Sequence, residues 1–282
     1  MSGAALQSGK SHKDENFPVA SFLIAPRHRQ PVLAFYRFVR FADDIADHPS
    51  ATPDEKLRLL EEMRATLVGE SDASPEGVAL RAILKERTLS SAHALDLLEA
   101  FRRDVTKLRY RGWDDLLDYC RYSAMPVGRF VLDVHGESQA TWPANDALCA
   151  ALQVINHLQD CGKDYRELNR VYIPEDALAE AGITVEALGQ PAASPGLKRA
   201  IAALGRKNAG LLAVSRSFAP QVRDSRLALE VDLIQILAQD LNKKLTRRDP
   251  LSQNVHHSKM NVAALFLMRL PVFAVRRLIG AA

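Results

Sequence analysis

An all-α protein is what this sequence predicts, on three observations. Apolar residues recur every three to four positions along nearly the whole chain, and no sustained period-2 run competes. Helix starts are marked by a capping hydroxyl followed directly by proline, at Thr52-Pro53, Ser74-Pro75 and Ser194-Pro195. Breaks bearing proline or glycine near 49–53, 69–75, 136–143, 162–174 and 190–196 separate the helical stretches. With 282 residues the chain is long enough for one large core or two small ones.

In chain order, the first 16 residues, "MSGAALQSGKSHKDEN", are polar and hold no apolar stretch of the signal-peptide kind. Residues 32–47 form a helix that His48-Pro49 ends, because a residue before proline is pushed out of the helical region. "TPDEKLRLL" opens the next, with Thr52 as cap and Glu55 three residues on. "SPEGVALRAIL" repeats the device, although Gly77 replaces the usual acid. "GWDDLLDYC" opens a helix after Gly112, where Asp114 and Asp115 suit the positive end of the dipole. "CAALQVINHLQDCGKDY" is a core-type helix weakened at Gly162. "SPGLKRAIAAL" starts another at Ser194. The last stretch, "NVAALFLMRLPVFAVRRLIGAA", is interrupted by Arg269, Arg276 and Arg277. It reads first as a helix docked on the core and second as a basic amphipathic helix on a membrane surface.

Composition excludes several classes. Hydrophobic residues make up 47% and charged residues 25%, with a net charge of +3. No basic run with interleaved aromatics marks a nucleic-acid site. Three cysteines without metal spacing suit a reducing cytoplasm, and no G-x-G-x-x-G loop encodes a nicotinamide or flavin domain.

Two polar stripes point to chemistry. At 100° per residue, Tyr36, Arg40, Asp43 and Asp47 fall within about 60° of one another. Val32, Leu33, Phe35, Phe38, Phe41 and Ile45 occupy most of the remaining circumference, as in a buried helix. Asp43 and Asp47 lie at the negative end of that helix, where acids are disfavoured. As an i,i+4 pair they repel unless a cation lies between them, and Mg²⁺ suits hard carboxylate oxygens. Arg40 can pair with a phosphate and Tyr36 can donate a hydrogen bond. Asp44 points off the stripe and reads as a solvated neighbour. Gln153, Asn156, Asp160 and Asp164 share a second face within about 80°, opposite Ala151, Val154, Ile155 and Leu158. Polar side chains in a core-type helix are expensive unless paired. Two such helices facing across a cavity would hold Mg²⁺ around a diphosphate and shelter a carbocation.

At these residues the chain resembles the squalene/phytoene synthase family, over about residues 12–275. The family's Y-x-x-x-R-x-x-D-x-x-x-D signature matches Tyr36, Arg40, Asp43 and Asp47. Its Q-x-x-N-x-x-x-D-x-x-x-D signature, with R-x-Y-x-P beyond it, matches Gln153, Asn156, Asp160, Asp164, Arg170, Tyr172 and Pro174. "DVTKLRY", Asp104 to Tyr110, matches a third segment. The resemblance implies the isoprenoid synthase helical fold with a central cavity, as one domain over 15–282 after a polar tail of 1–14. It implies Mg²⁺ (with Mn²⁺ as a substitute) on Asp43, Asp47, Asn156, Asp160 and Asp164. Tyr36, Arg40, Asp43, Asp47 and Asp160 are the implied catalytic residues, with Arg40, Gln153 and Asn156 on the substrate diphosphate.

Departures narrow the match. Gln159 replaces a frequent Arg, "SAMPVG" (Ser123 to Gly128) replaces "VAGxVG", and "DENF" (Asp14 to Phe17) replaces "SKSF". A C-terminal Tyr of carotenoid-type members is Arg248 or Asp249 here. The strings "DENFPVAS", "YRFVRFADDIADH", "YCRYSAMPVGR" and "DPLSQNVHHSK" look like the hopanoid-pathway branch, with Ser123, Pro126 and Arg129 where that branch would be specified. That branch takes presqualene diphosphate and water to hydroxysqualene, without NAD(P)H or flavin on the enzyme. It implies a partner that makes presqualene diphosphate, a flavoprotein that reduces the product to squalene, and a cytoplasmic place, peripheral to the inner membrane if the last helix touches lipid. Head-to-head condensation of two prenyl diphosphates is the alternative activity, and a non-catalytic helical partner the alternative class. Smaller questions are whether His256-His257 places water, and whether Asp104 pairs with Arg109 or orients the site. Cys161 reads as structural.

Overall fold

Twelve α-helices and short 3₁₀ turns make up the described part of the chain, residues 24–280 of a computed structural model. Side chains at 259, 272 and 274–280 are not described. The helices are α1 (Pro26–Asp47), α2 (Pro53–Val68), α3 (Pro75–Glu86), α4 (Ala92–Thr106), α5 (Trp113–Ser123) and α6 (Met125–Val134). There follow α7 (Trp142–Leu168), α8 (Glu175–Glu180), α9 (Pro195–Val214), α10 (Phe218–Gln221), α11 (Ser225–Leu245) and α12 (Lys259–Gly280). Among the described residues no strand forms; a single parallel bridge joins Arg109 and Val171.

All three expected caps are in place. Thr52 Oγ1 accepts from the Glu55 backbone N–H at 3.3 Å while Glu55 accepts from the Thr52 N–H at 2.9 Å, a complete capping box. Ser74 accepts from Gly77 N–H at 3.1 Å and Ser194 from Leu197 N–H at 3.2 Å. Gly77 replaces the acid for a steric reason: a Cβ there would lie 2.8 Å from Thr66 Cγ2.

Packing divides the chain into two compact units, Met1–Leu108 with Asp118–Gly136, and Arg109–Leu117 with Glu137–Ala282. In the first, α1 packs against α2, α3, α4 and α6. Phe35, Phe38, Phe41 and Ile45 bury with Leu60, Met63, Leu80 and Leu97, and Phe35 stacks on Phe130 at 3.9 Å between ring centroids. Full burial of each such side chain is worth ~1.5–3 kcal/mol. Apolar packing on several sides fixes α1, and with it the angular position of its polar stripe.

In the second unit α7 packs against α9 and α11. The interruption expected from 162 begins only after Leu168, so α7 runs unbroken through both acidic positions. Gly162 is needed for close packing: a Cβ there would lie 2.5 Å from Leu251 Cδ2 and 3.3 Å from the Leu188 carbonyl. Three helices are also joined by buried amides. Asn208 Nδ2 on α9 donates to the Ala151 carbonyl on α7 at 3.2 Å and to Asn242 Oδ1 on α11 at 3.1 Å. Asn242 Nδ2 donates back to the Gly205 carbonyl on α9 at 2.9 Å. α12 packs on α11. No helix among the described residues is long and apolar enough to cross a membrane.

Candidate active site

The first stripe survives folding as drawn. Tyr36, Arg40, Asp43 and Asp47 are all half-buried on α1, between fully buried apolar neighbours. Arg40 is the local counter-charge. Its Nη1 donates to Asp43 Oδ2 at 2.7 Å and its Nη2 to Asp44 Oδ1 at 2.5 Å. This corrects the expectation for Asp44: its side chain is only 6% exposed and paired, because a half-buried guanidinium one turn away reaches both carboxylates. Lys56 of α2 donates to the Ala46 carbonyl at 2.9 Å, placing a cation at the negative end of α1.

Asp43 is the perturbed member. Burial, then the Asp47 charge, push its carboxyl up to about 7; Arg40 lowers it, and Asp104 and Asp44 raise it again. Its side chain keeps 33% exposure, so water damps the effect, but the direction follows from three nearby acids. Asp104, on α4, is buried and accepts from the Tyr119 hydroxyl at 2.8 Å. Tyr119 was not singled out in the sequence; its place one turn before Ser123 gave no signal. Arg109, weighed as a partner of Asp104, donates from Nη2 to Asn169 Oδ1 at 2.7 Å.

The second stripe lies in the other unit. Gln153, Asn156, Asp160 and Asp164 are half-buried along α7, and Ala151, Val154, Ile155 and Leu158 on the opposite face are buried. α7 ends at Asn169, whose left-handed backbone (φ 53°) turns the chain toward Arg170. Beyond it the Arg170 and Tyr172 side chains are buried. His157, next to Asn156, stacks on Tyr172 at 3.5 Å, and Tyr172 stacks on Tyr110 at 5.6 Å. Burial, helped by Arg170, pushes the His157 imidazole down to about 3, so it stays neutral. The sequence reading passed over His157; a histidine off the polar face of a core helix was the available signal.

Gln159 is buried, donates to the Val255 carbonyl at 3.1 Å and lies 3.2 Å from His256 Nδ1. His256 is exposed, but His257 is not: its side chain is largely buried near Lys244 and the Leu237 carbonyl, so the two are not an exposed pair. Burial pushes the Cys161 thiol up to about 12, which agrees with a structural role. Arg248 donates to the Asn254 carbonyl, and buried Asp249 accepts from the Ala193 and Leu251 N–H groups. The chain turns at Ala124 between α5 and α6, with Pro126 buried just inside α6. Residues Asp14 to Phe17 and the tail 1–14 lie outside the described residues.

Each unit thus holds one helix with a polar, acid-bearing stripe, as the two motifs of a helical prenyl-diphosphate synthase require. The model of the squalene/phytoene synthase family matches residues 10–261, and the chain belongs to that family. It is 57% identical to the hydroxysqualene synthase of Rhodopseudomonas palustris over 90% of this chain and 87% of that one. It is 55% identical to the hydroxysqualene synthase of Zymomonas mobilis over 94% of this chain and 90% of that one. Among solved structures it resembles squalene synthase HpnC from Alicyclobacillus acidocaldarius, with a TM-score of 0.73, 32% identity, and coverage of 87% and 92% of the two chains. The fold is therefore the all-α isoprenoid synthase fold expected from the motifs.

Proposed function

We propose that this enzyme converts presqualene diphosphate and water to hydroxysqualene and diphosphate, within bacterial squalene and hopanoid biosynthesis. The observation that carries the reading is identity of 52–57% to three hydroxysqualene synthases, over nine-tenths or more of this chain. Residues 15–282 are assigned to one isoprenoid synthase domain behind a polar tail of 1–14.

We assign Mg²⁺, with Mn²⁺ as a substitute, to Asp43, Asp47, Asn156, Asp160 and Asp164. The donor set fits: it is all oxygen and mostly carboxylate, and Asp43 is pushed toward its neutral form by burial and then by the acids around it. When bound, the ion supplies Lewis-acid neutralisation of the diphosphate. The chain's own residues do the rest. Arg40 offers a planar fork to phosphate oxygens, and the Gln153 and Asn156 amides orient the group. Tyr36 donates a hydrogen bond at the ionising oxygen. The carbon–oxygen bond breaks and its electron pair leaves with the diphosphate. The cyclopropylcarbinyl cation opens, sheltered from early capture by apolar lining. A water oxygen then bonds to carbon and gives up a proton. Neither side of that balance is oxidised or reduced, so NAD(P)H and flavin have no part in the step.

A presqualene diphosphate synthase would supply the substrate, and a squalene-forming flavoprotein would consume the product. We place the reaction in the cytoplasm, with peripheral contact to the inner membrane. The test is purified protein with presqualene diphosphate and Mg²⁺, without reductant, and product mass analysis. Hydroxysqualene is expected; its absence overturns the reading. Presqualene diphosphate or phytoene formed from prenyl diphosphates alone would put head-to-head condensation in its place.

A further inference from the structure

α12 is apolar on two opposite faces, and α11 covers only one of them. Val262, Leu265, Phe266, Leu270 and Phe273 are partly buried, and Arg269 on the same side is tied to Asp232 of α11. That tie is a fork: Arg269 Nε to Asp232 Oδ2 at 2.6 Å and Nη2 to Oδ1 at 2.9 Å. The bidentate pair fixes which way the helix is rotated. The opposite face then carries Met260, Leu267 and Met268, 81%, 67% and 63% exposed, with exposed Ala263, Ala264 and Pro271 between them. Asn261 is the single polar residue on that exposed face through Pro271. Three of the six large apolar side chains exposed among the described residues lie on this one helix.

A helix apolar all round belongs in a protein core or in lipid. The charge pattern selects between partners. Over Lys259–Gly280 the sequence has Lys259, Arg269, Arg276 and Arg277 and no acid. Asp232 neutralises Arg269, and the sequence of the helix keeps three further basic residues and no acid to balance them. An exposed apolar stripe on a helix of net positive charge suits a helix lying in the plane of an anionic bilayer surface. Each basic residue near such a surface adds attraction that falls off within a Debye length.

We propose that the outer face of α12, centred on Leu267 and Met268, docks on the surface of an anionic lipid bilayer with the helix parallel to the membrane plane. The fork to Asp232 holds the rest of the enzyme on the cytosol-facing side. The proposal deepens the membrane contact given under the proposed function, but binding can be measured without any substrate.

The full chain is sedimented with phosphatidylcholine vesicles containing phosphatidylglycerol, and separately with vesicles of phosphatidylcholine alone. Binding to the mixed vesicles, weaker to the neutral ones and reduced by salt, is expected. The exposed double variant Leu267→Asp/Met268→Asp should lower partitioning about ten-fold or more, with circular dichroism and turnover of detergent-dispersed presqualene diphosphate unchanged. Failure of the parent chain to bind mixed vesicles overturns the proposal, as does equal binding by the variant. Self-association abolished by Leu267→Asp without vesicle binding also overturns it, in favour of a second copy. Absence of turnover from dispersed substrate by the parent chain counts against the catalytic reading alone.

Discussion

Asp43-Asp44-Ile45-Ala46-Asp47 on α1 and Asp114-Asp115-Leu116-Leu117-Asp118 on α5 share one spacing and reach opposite outcomes. The α5 triplet opens its helix. Asp115 accepts from the Arg111 N–H at 3.0 Å, and Asp118 meets Arg103 at 2.8 Å in a partly exposed pair. Each acid there has an ordinary use: it satisfies an end of the backbone or joins a surface ion pair. The α1 triplet closes its helix, half-buried, with Arg40 shared between two carboxylates and Asp43 driven toward its neutral form. Spacing alone therefore says nothing about metal binding. The two copies differ in which end of the helix they occupy, in burial and in the supply of counter-charge.

The largest expected effect is on turnover. Asp43→Asn should lower hydroxysqualene formation at least ~10²-fold, the scale of losing one electrostatic stabiliser at a charge-developing centre. Asp114→Asn should leave it within about two-fold, being a change at an exposed helix start. Comparable losses in both would dissolve the distinction.

The next contrast is structural. Arg40→Met removes the ion-pair partner of the buried Asp44 carboxylate and should cost about 3 kcal/mol in urea unfolding, the scale of breaking a buried pair. Arg103→Met breaks pairs with partly exposed Glu99 and Asp118 and should cost no more than ~1 kcal/mol.

The pH dependence has a definite sign. Asp43 is raised above its unfolded value, so the metal-free fold binds the extra proton more tightly than the unfolded chain. Its contribution to stability is complete below the unfolded pKa of 3.8 and is lost as pH rises through about 7. Thermal melts without divalent ions should therefore show a declining component between those values that Asp43→Asn removes. Added Mg²⁺ should stabilise the parent chain more above pH 7 than below it, because ligation needs the carboxylate. Asp115→Asn should leave that component intact. Its own cost is the smallest effect here, ~0.5–1 kcal/mol of α5 stability.

Much of this was legible beforehand where local rules apply. The caps at Thr52, Ser74 and Ser194 follow from chain chemistry within four residues, and the two polar stripes follow from helical angle alone. What escaped depends on side-chain rotamers or on residues further along the chain. Angular projection put Asp44 off the stripe but could not show that Arg40 would span both carboxylates. Gly162 looked like a weakness in the helix because its reason, Leu251, lies 89 residues further on. His157 could not be read as a ring stacked on Tyr172 until Asn169 turned the chain back. Lys56 reaching the Ala46 carbonyl was hidden for the same reason.

The buried amides of Asn208 and Asn242 bear on how α7 is indexed against its neighbours. Apolar surfaces tolerate sliding; one leucine serves nearly as well as the next. Paired amides do not, as with a single buried asparagine that sets the register of a coiled coil. A slip of one turn, about 5.4 Å along the axis, would leave the Asn208 and Asn242 side-chain donors and the Ala151 and Gly205 carbonyls without these partners. The polar side of α7, to which we assign the metal, carries Asn156 and Asp160 about one and a half and two and a half turns beyond Ala151. The amide latch thus acts as a vernier, fixing the height at which those two polar side chains are presented, although neither Asn208 nor Asn242 lies on that polar stripe.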